Sequence, residues 1–150
     1  MDDIKPGTFL RIPLGDGSFG YGRVLEAPYS AFYDFRTTEP DTDLGRISPH
    51  AILFRIAVRH ASQQRWKHIG WRNLESHMAQ PIVAFTQDIG DFRRCVIFDT
   101  AGNERVAQPQ ECVGIEPAVV WEQRHVEERL LDTLMGRPNG YMVRLSVKLP

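Results

Sequence analysis

The stretch Ile12-Pro-Leu-Gly-Asp-Gly-Ser-Phe-Gly-Tyr-Gly-Arg-Val24 limits the possible folds more than any other part of the chain. Over Thr8 to Leu14, Leu10, Ile12 and Leu14 alternate with Phe9 and Arg11, and an extended pattern resumes from Phe19 to Leu25. Gly15-Asp-Gly-Ser18 between them supplies positive-φ positions for a tight turn, so the two runs are expected to form an antiparallel hairpin. Gly20 and Gly22 fall on one face of the second strand. Missing side chains there either admit a close neighbour or allow a sharp bend, which favours a coiled sheet or partial barrel over a flat one.

Ala31-Phe-Tyr-Asp-Phe35 reads as a short aromatic strand, and Arg36 to Gly45 reads as an exposed, acidic, turn-rich loop. Ile52, Phe54, Ile56 and Val58 alternate with Leu53, Arg55, Ala57 and Arg59, the pattern of a central strand. Trp66 to Trp71 is expected as a turn or short strand, with Asn73 capping a brief helix through about Met78. Ile82 to Thr86 and Arg94 to Phe98 read as strands, and Thr100-Ala-Gly-Asn103 as a turn before Glu104 to Ala107.

Pro117 and Gly136 bracket an expected helix of about five turns. Its apolar stripe is Val119, Val126, Leu130 and Leu134, with Glu122, Arg124, Glu128 and Arg129 mostly facing away. Val143, Leu145, Val147 and Leu149 predict a final half-buried strand. The expected architecture is a single α+β domain over residues 1–150, a strongly bent antiparallel sheet or partial barrel covered by one main C-terminal helix.

The 150 residues are enough to bury about two thirds of the unfolded surface in one core. A net charge of -1 gives no global field to attract nucleic acid or an anionic membrane, although a local patch remains open. No apolar run approaches the roughly 18 residues of a membrane span, and Met1-Asp-Asp-Ile-Lys-Pro lacks the features of a secretory signal. The expected location is the cytoplasm. Cys95 and Cys112 could in principle meet, but in a reducing compartment both are expected to be buried free thiols.

No catalytic or cofactor motif stands out. Gly15-x-Gly-x-x-Gly20 matches the dinucleotide fingerprint in form, but a strand follows it instead of the helix that would hold a pyrophosphate. His50, His60, His68, His77 and His125 lack the close spacing of ligands on one element, and no metal or other cofactor is expected. Cys112 has the carboxylate of Glu111 beside it, which opposes a thiolate. Asp88, Asp91 and Asp99 fit turn-capping roles. Phe19, Tyr21, Phe32, Tyr33, Phe35, Trp66 and Trp71 fit a core better than a base-stacking platform.

The remaining candidate surface is acidic. Asp34, Glu39, Asp41 and Asp43 concentrate negative charge on and beside one loop, next to Tyr29 and Tyr33. Together these six form the expected partner-binding set, because clustered charge steers encounter and rejects wrong partners.

Over nearly its whole length the chain resembles the immunity protein 26 family of bacterial polymorphic toxin systems. The likeness lies in Ile12 to Leu25, Ala31 to Phe35, Trp66 to Gly70, Gln87-Asp88, Glu111-Cys-Val-Gly114, Val120-Trp121, His125 to Leu130 and Gly136-Arg-Pro-Asn139. The resemblance implies a cytoplasmic, non-enzymatic antitoxin of interbacterial competition, which binds and neutralises a cognate toxin domain by protein–protein interaction. It carries over no catalytic residues and no binding site. The alternative is a small-barrel adaptor for a peptide or nucleic acid, and a third reading is an enzyme that reverses toxin damage. A toxin domain encoded immediately upstream would favour inhibition.

Overall fold

The computed structural model describes residues 4–150. The first three residues, part of the opening read as lacking a leader, lie outside the described residues. In chain order the strands and helices are β1 (Thr8–Pro13), β2 (Phe19–Val24), β3 (Tyr29–Thr37), α1 (Leu44–Ile47), β4 (Ile52–Val58), α2 (His60–Arg65), β5 (Lys67–Trp71), β6 (Val83–Gln87), β7 (Cys95–Asp99), β8 (Glu104–Ala107), β9 (Glu116–Pro117), β10 (Val120–Trp121), α3 (Gln123–Leu134) and α4 (Gly140–Leu145). The chain divides into two compact units, one running up to Ala79 and taking in Val120–Asn139, the other made of Gln80–Val119 with Gly140–Pro150.

The first unit holds a six-stranded sheet in the order β10-β4-β3-β2-β1-β5, antiparallel except for the β10–β4 pair. Gly15 and Gly17 take the positive φ of the expected turn. Irregularities at Phe9/Leu10, Gly20/Gly22 and Phe32/Tyr33 bend the sheet. It curves without closing, so the fold is α+β with an open, bent sheet and one main helix near the C-terminus.

Gly20 shows why a side chain is absent. A Cβ there would lie 2.7 Å from Leu130 Cδ2 of α3, so the bare backbone receives the helix. Val126 and Leu130 are buried on that side, and Phe32 packs on Phe54 and on Trp66, with ring centroids 5.3 and 6.0 Å apart. Arg129, expected to face away, is only 5% exposed and lies 3.9 Å over the Phe54 ring and 5.0 Å from that of Trp121. Its guanidinium packs as a flat cation against aromatic faces.

The opposite side of the sheet is also covered. Phe9 and Tyr33 stack with centroids 6.2 Å apart, and Arg23 lies fully buried over Phe9. The Arg23 guanidinium donates to the carbonyls of Gly7, Arg72 and Asn73, the Tyr33 hydroxyl and the Glu75 carboxylate, at 2.7 to 3.1 Å. All five of its N–H groups thereby find an acceptor. Residues 72–75 are held down in this way, which corrects the expected helix from Asn73. Only a 3-10 turn, Ser76–Ala79, forms, and the Asn73 carbonyl serves Arg23.

The C-terminal helix is shorter than the Pro117–Gly136 bracket. Pro117 lies in β9 beside Phe85, and Trp121 pairs with Val58, so extended backbone persists until Glu122. The Ser62 hydroxyl accepts the first amide of α3, from Gln123, at 2.9 Å. Gly136, at φ 69°, ends the helix as expected.

The second unit holds a sheet in the order β8-β7-β6-β9. Phe85, Cys95, Ile97, Ala107 and Cys112 form its core, with Ile115 and Val147 packed against it. The final strand expected over Val143 to Leu149 is replaced by α4 and an irregular tail. Val143 and Leu149 are exposed, and the Gln87 side chain bonds both the N–H and the C=O of Lys148 at 2.8 Å. A side-chain amide thus takes the place of a strand partner.

Candidate functional site

The acidic loop is built on the first hairpin. The Tyr21 hydroxyl lies 2.6 Å from Thr37 Oγ1 and accepts the Asp41 amide at 3.0 Å, which ties the loop to the end of β3. Asp41 Oδ1 accepts the Asp43 amide at 2.9 Å, and its Oδ2 accepts Arg46 Nη1 at 3.2 Å. Asp43 caps α1 by accepting the Arg46 amide, and its second oxygen lies 3.9 Å from Arg46 Nη2. The loop therefore satisfies its own polar groups and presents charge in a fixed arrangement.

Next to it, Arg36 reaches Ser18 Oγ at 2.9 Å and Asp16 Oδ2 at 3.1 Å. Asp16 also accepts both the amide and the hydroxyl of Ser18. These bonds, those from Ser18 foremost, lower the Asp16 carboxyl to about 2. Phe35 stacks on His50, centroids 4.2 Å apart, and packs against Tyr21 at 5.2 Å.

The structure brings Asp41 and Asp43 together around Arg46, with Glu39 exposed on the same loop and Asp34 exposed on β3. Asp41 is mostly turned inward, its side chain 13% exposed. Tyr29 lies elsewhere, since it opens β3 and the loop follows the end of that strand, a run of roughly 26 Å at the usual rise of an extended chain. Tyr33 is fully buried under Arg23. Burial raises its phenol above the ordinary value, with Arg23 pulling the other way. It has no surface to offer a partner.

Sequence reasoning missed Tyr21, Arg46, Asp16 and Arg36 as organisers of this loop. Asp43-Leu-Gly-Arg46 carried a helix-capping signal that could have found Arg46. Nothing local linked Arg36 to Asp16, which lies twenty residues away across the sheet.

The other candidate groups are committed to structure. Asp88 accepts the amides of Gly90 and Asp91, and Asp99 those of Ala101 and Asn103, so both cap turns. The Asn103 bonds hold the Asp99 carboxyl below its usual range. Burial pushes the Cys112 thiol up to about 11, with Cys95 and then Glu111 adding to it. A cleft of about 500 Å³ is lined by Arg59, Arg65, Glu122, Gln123, Arg124 and Glu127. Within it Arg59 pairs with Glu122 at 2.6 Å, and Glu127 accepts Trp66 Nε1 at 2.9 Å, so its charges tie the two residues that flank α2 to the start and first turns of α3. Among the described residues no His, Cys, Asp and Glu side chains gather as a metal site, and no helix is long and apolar enough to cross a membrane.

No curated protein and no solved structure matches the chain significantly. A family model does match, that of immunity protein 26, over residues 5–96, from the lead into β1 to the start of β7. With more than half of its 150 residues matched, the chain belongs to the immunity protein 26 family.

Proposed function

We propose that the protein binds a cognate toxin domain in the cytoplasm of the producing cell and neutralises it by occupying its surface. It contributes no reactive group of its own. The family match over residues 5–96 carries this reading. Such a role needs nanomolar affinity or better, about -12 kcal/mol, because a few free toxin molecules suffice to harm the cell.

The acidic loop supports the choice of surface. Its backbone is already fixed by Tyr21, Asp41 and Arg46, so little ordering entropy is lost on association. Exposed Asp34, Glu39 and Asp43 then meet a basic face of the toxin, while Asp41 holds the loop in shape. Tyr29 belongs to a separate part of the surface.

Stopped-flow association with the proposed cognate toxin domain tests the site. Glu39→Lys and Asp34→Lys leave the loop's hydrogen bonds intact and should each slow association about tenfold at low salt, with the difference shrinking at high salt. Unchanged on-rates for both variants at low salt would remove this surface.

A further inference from the structure

The outer strand of the second unit is open. In the β7–β8 pair Phe98 faces Glu104, Ile97 faces Arg105, Val96 faces Val106 and Cys95 faces Ala107. The Asp99 amide bonds the Asn103 carbonyl at 3.0 Å, which fixes the alternation of the ladder. Arg105 and Ala107 therefore exchange hydrogen bonds with β7, while Glu104 and Val106 direct N–H and C=O away from it. Glu104, Arg105 and Val106 are all exposed, Val106 at 67%. Across the sheet Thr86, Val96 and Val106 stand in one row that ends at this edge.

A row of outward main-chain donors and acceptors has one natural complement, another extended strand. A second copy of this chain is a poor one. Antiparallel self-pairing centred on Arg105 or on Glu104 sets like charges directly opposite each other. Centred on Val106, it requires outward bonding by Gln108, whose N–H is already held by the Glu111 carboxylate at 2.7 Å and whose carbonyl accepts the Glu111 amide.

We propose that β8 is the docking edge for a strand of the toxin, which adds to the sheet through the main-chain groups of Glu104 and Val106. Read antiparallel, that strand carries a β-branched or other apolar residue opposite Val106, which extends the Thr86–Val96–Val106 row. Two positions further on it carries a basic residue opposite Glu104. The inference rests on the toxin-binding reading above and gives it a second, sequence-selective contact.

The test uses the full chain and the purified cognate toxin domain of the reading above. Amide hydrogen exchange should show Glu104 and Val106 exchanging quickly in the free protein and slowly in the complex. Val106→Pro, which removes an outward donor, and Val106→Lys, which keeps the backbone and ends the apolar row, should each weaken binding at least about tenfold while circular dichroism stays native. A complex that forms without protection at these amides and is insensitive to a folded Val106 variant overturns the edge and leaves toxin binding standing. Failure of the wild-type chain to bind overturns both. Dimerisation of the chain alone, abolished by Val106→Lys, would replace the toxin strand with a second copy and overturn the proposal.

Discussion

The guanidinium of Arg23 donates to the carboxylate of Glu75 at 2.8 Å, joining a fully buried strand residue to a segment 52 positions later in the chain. With the carbonyls of Gly7, Arg72 and Asn73 it forms a charged anchor beneath the Phe9–Tyr33 stack. Removing Arg23 strands these carbonyls and uncovers the underside of the sheet. Arg23→Met should lower stability by about 3–5 kcal/mol in urea unfolding, as expected when a buried charge network loses its centre. Glu75→Gln, at a half-exposed position that keeps an acceptor, should cost about 1 kcal/mol. A loss below about 1 kcal/mol for Arg23→Met would show that the clasp is incidental.

Gly20 and Leu130 should be coupled. Gly20→Ala places a methyl 2.7 Å from Leu130 Cδ2 and is expected to cost about 1–3 kcal/mol through overpacking. Leu130→Ala alone should cost about 2–5 kcal/mol by leaving a cavity. In the double variant the new methyl enters the vacated space, so the combined loss should fall short of the sum by at least about 1 kcal/mol. Strict additivity would contradict the seat of α3 on β2.

How much of this was legible in the sequence follows from the range of the interactions. The hairpin at Gly15-Asp-Gly-Ser18, β4 and the stop at Gly136 depend on alternation and turn chemistry within a few residues, and all three appear. Arg129 read as facing away, and nothing near Arg23 marked it as an anchor, because their environments come from residues distant in sequence, Phe54 for one and Glu75 for the other. Phe9, which alternates with Leu10 and Ile12, is buried along with them because both faces of the bent sheet are covered. Val143 to Leu149 had strand periodicity but no strand partner, and local helix formation prevailed over part of the segment. At the acidic loop the charges were visible, whereas the Arg46 and Tyr21 contacts that organise them needed the fold.

Asp16 gives the hairpin a pH signature. Its carboxyl titrates near 2 in the folded protein, below the ordinary 3.8, so the stability it contributes is complete above about pH 4 and is lost as pH falls through 2. Titration of this carboxyl by NMR should give a midpoint near 2, and Ser18→Ala should move it upward. A midpoint near 3.8 in the wild type would contradict the turn geometry.

The thiols should be silent until the second unit opens. Cys95 and Cys112 are buried and free, so a thiol reagent at pH 8 should label neither in the native protein and both after denaturation. Cys112 is raised from 9.0 to about 11, so the stability it contributes is complete below about pH 9 and is lost as pH rises toward 11. Rapid native labelling of Cys112 would contradict its place in the core.

Toxin neutralisation is tested most directly by co-expressing the protein with its proposed cognate toxin domain and scoring growth together with recovery of the pair. The prediction is restored growth and a stoichiometric complex in which the toxin emerges chemically unaltered. Unrelieved killing despite abundant folded protein, or relief accompanied by catalytic turnover of a substrate, would contradict it.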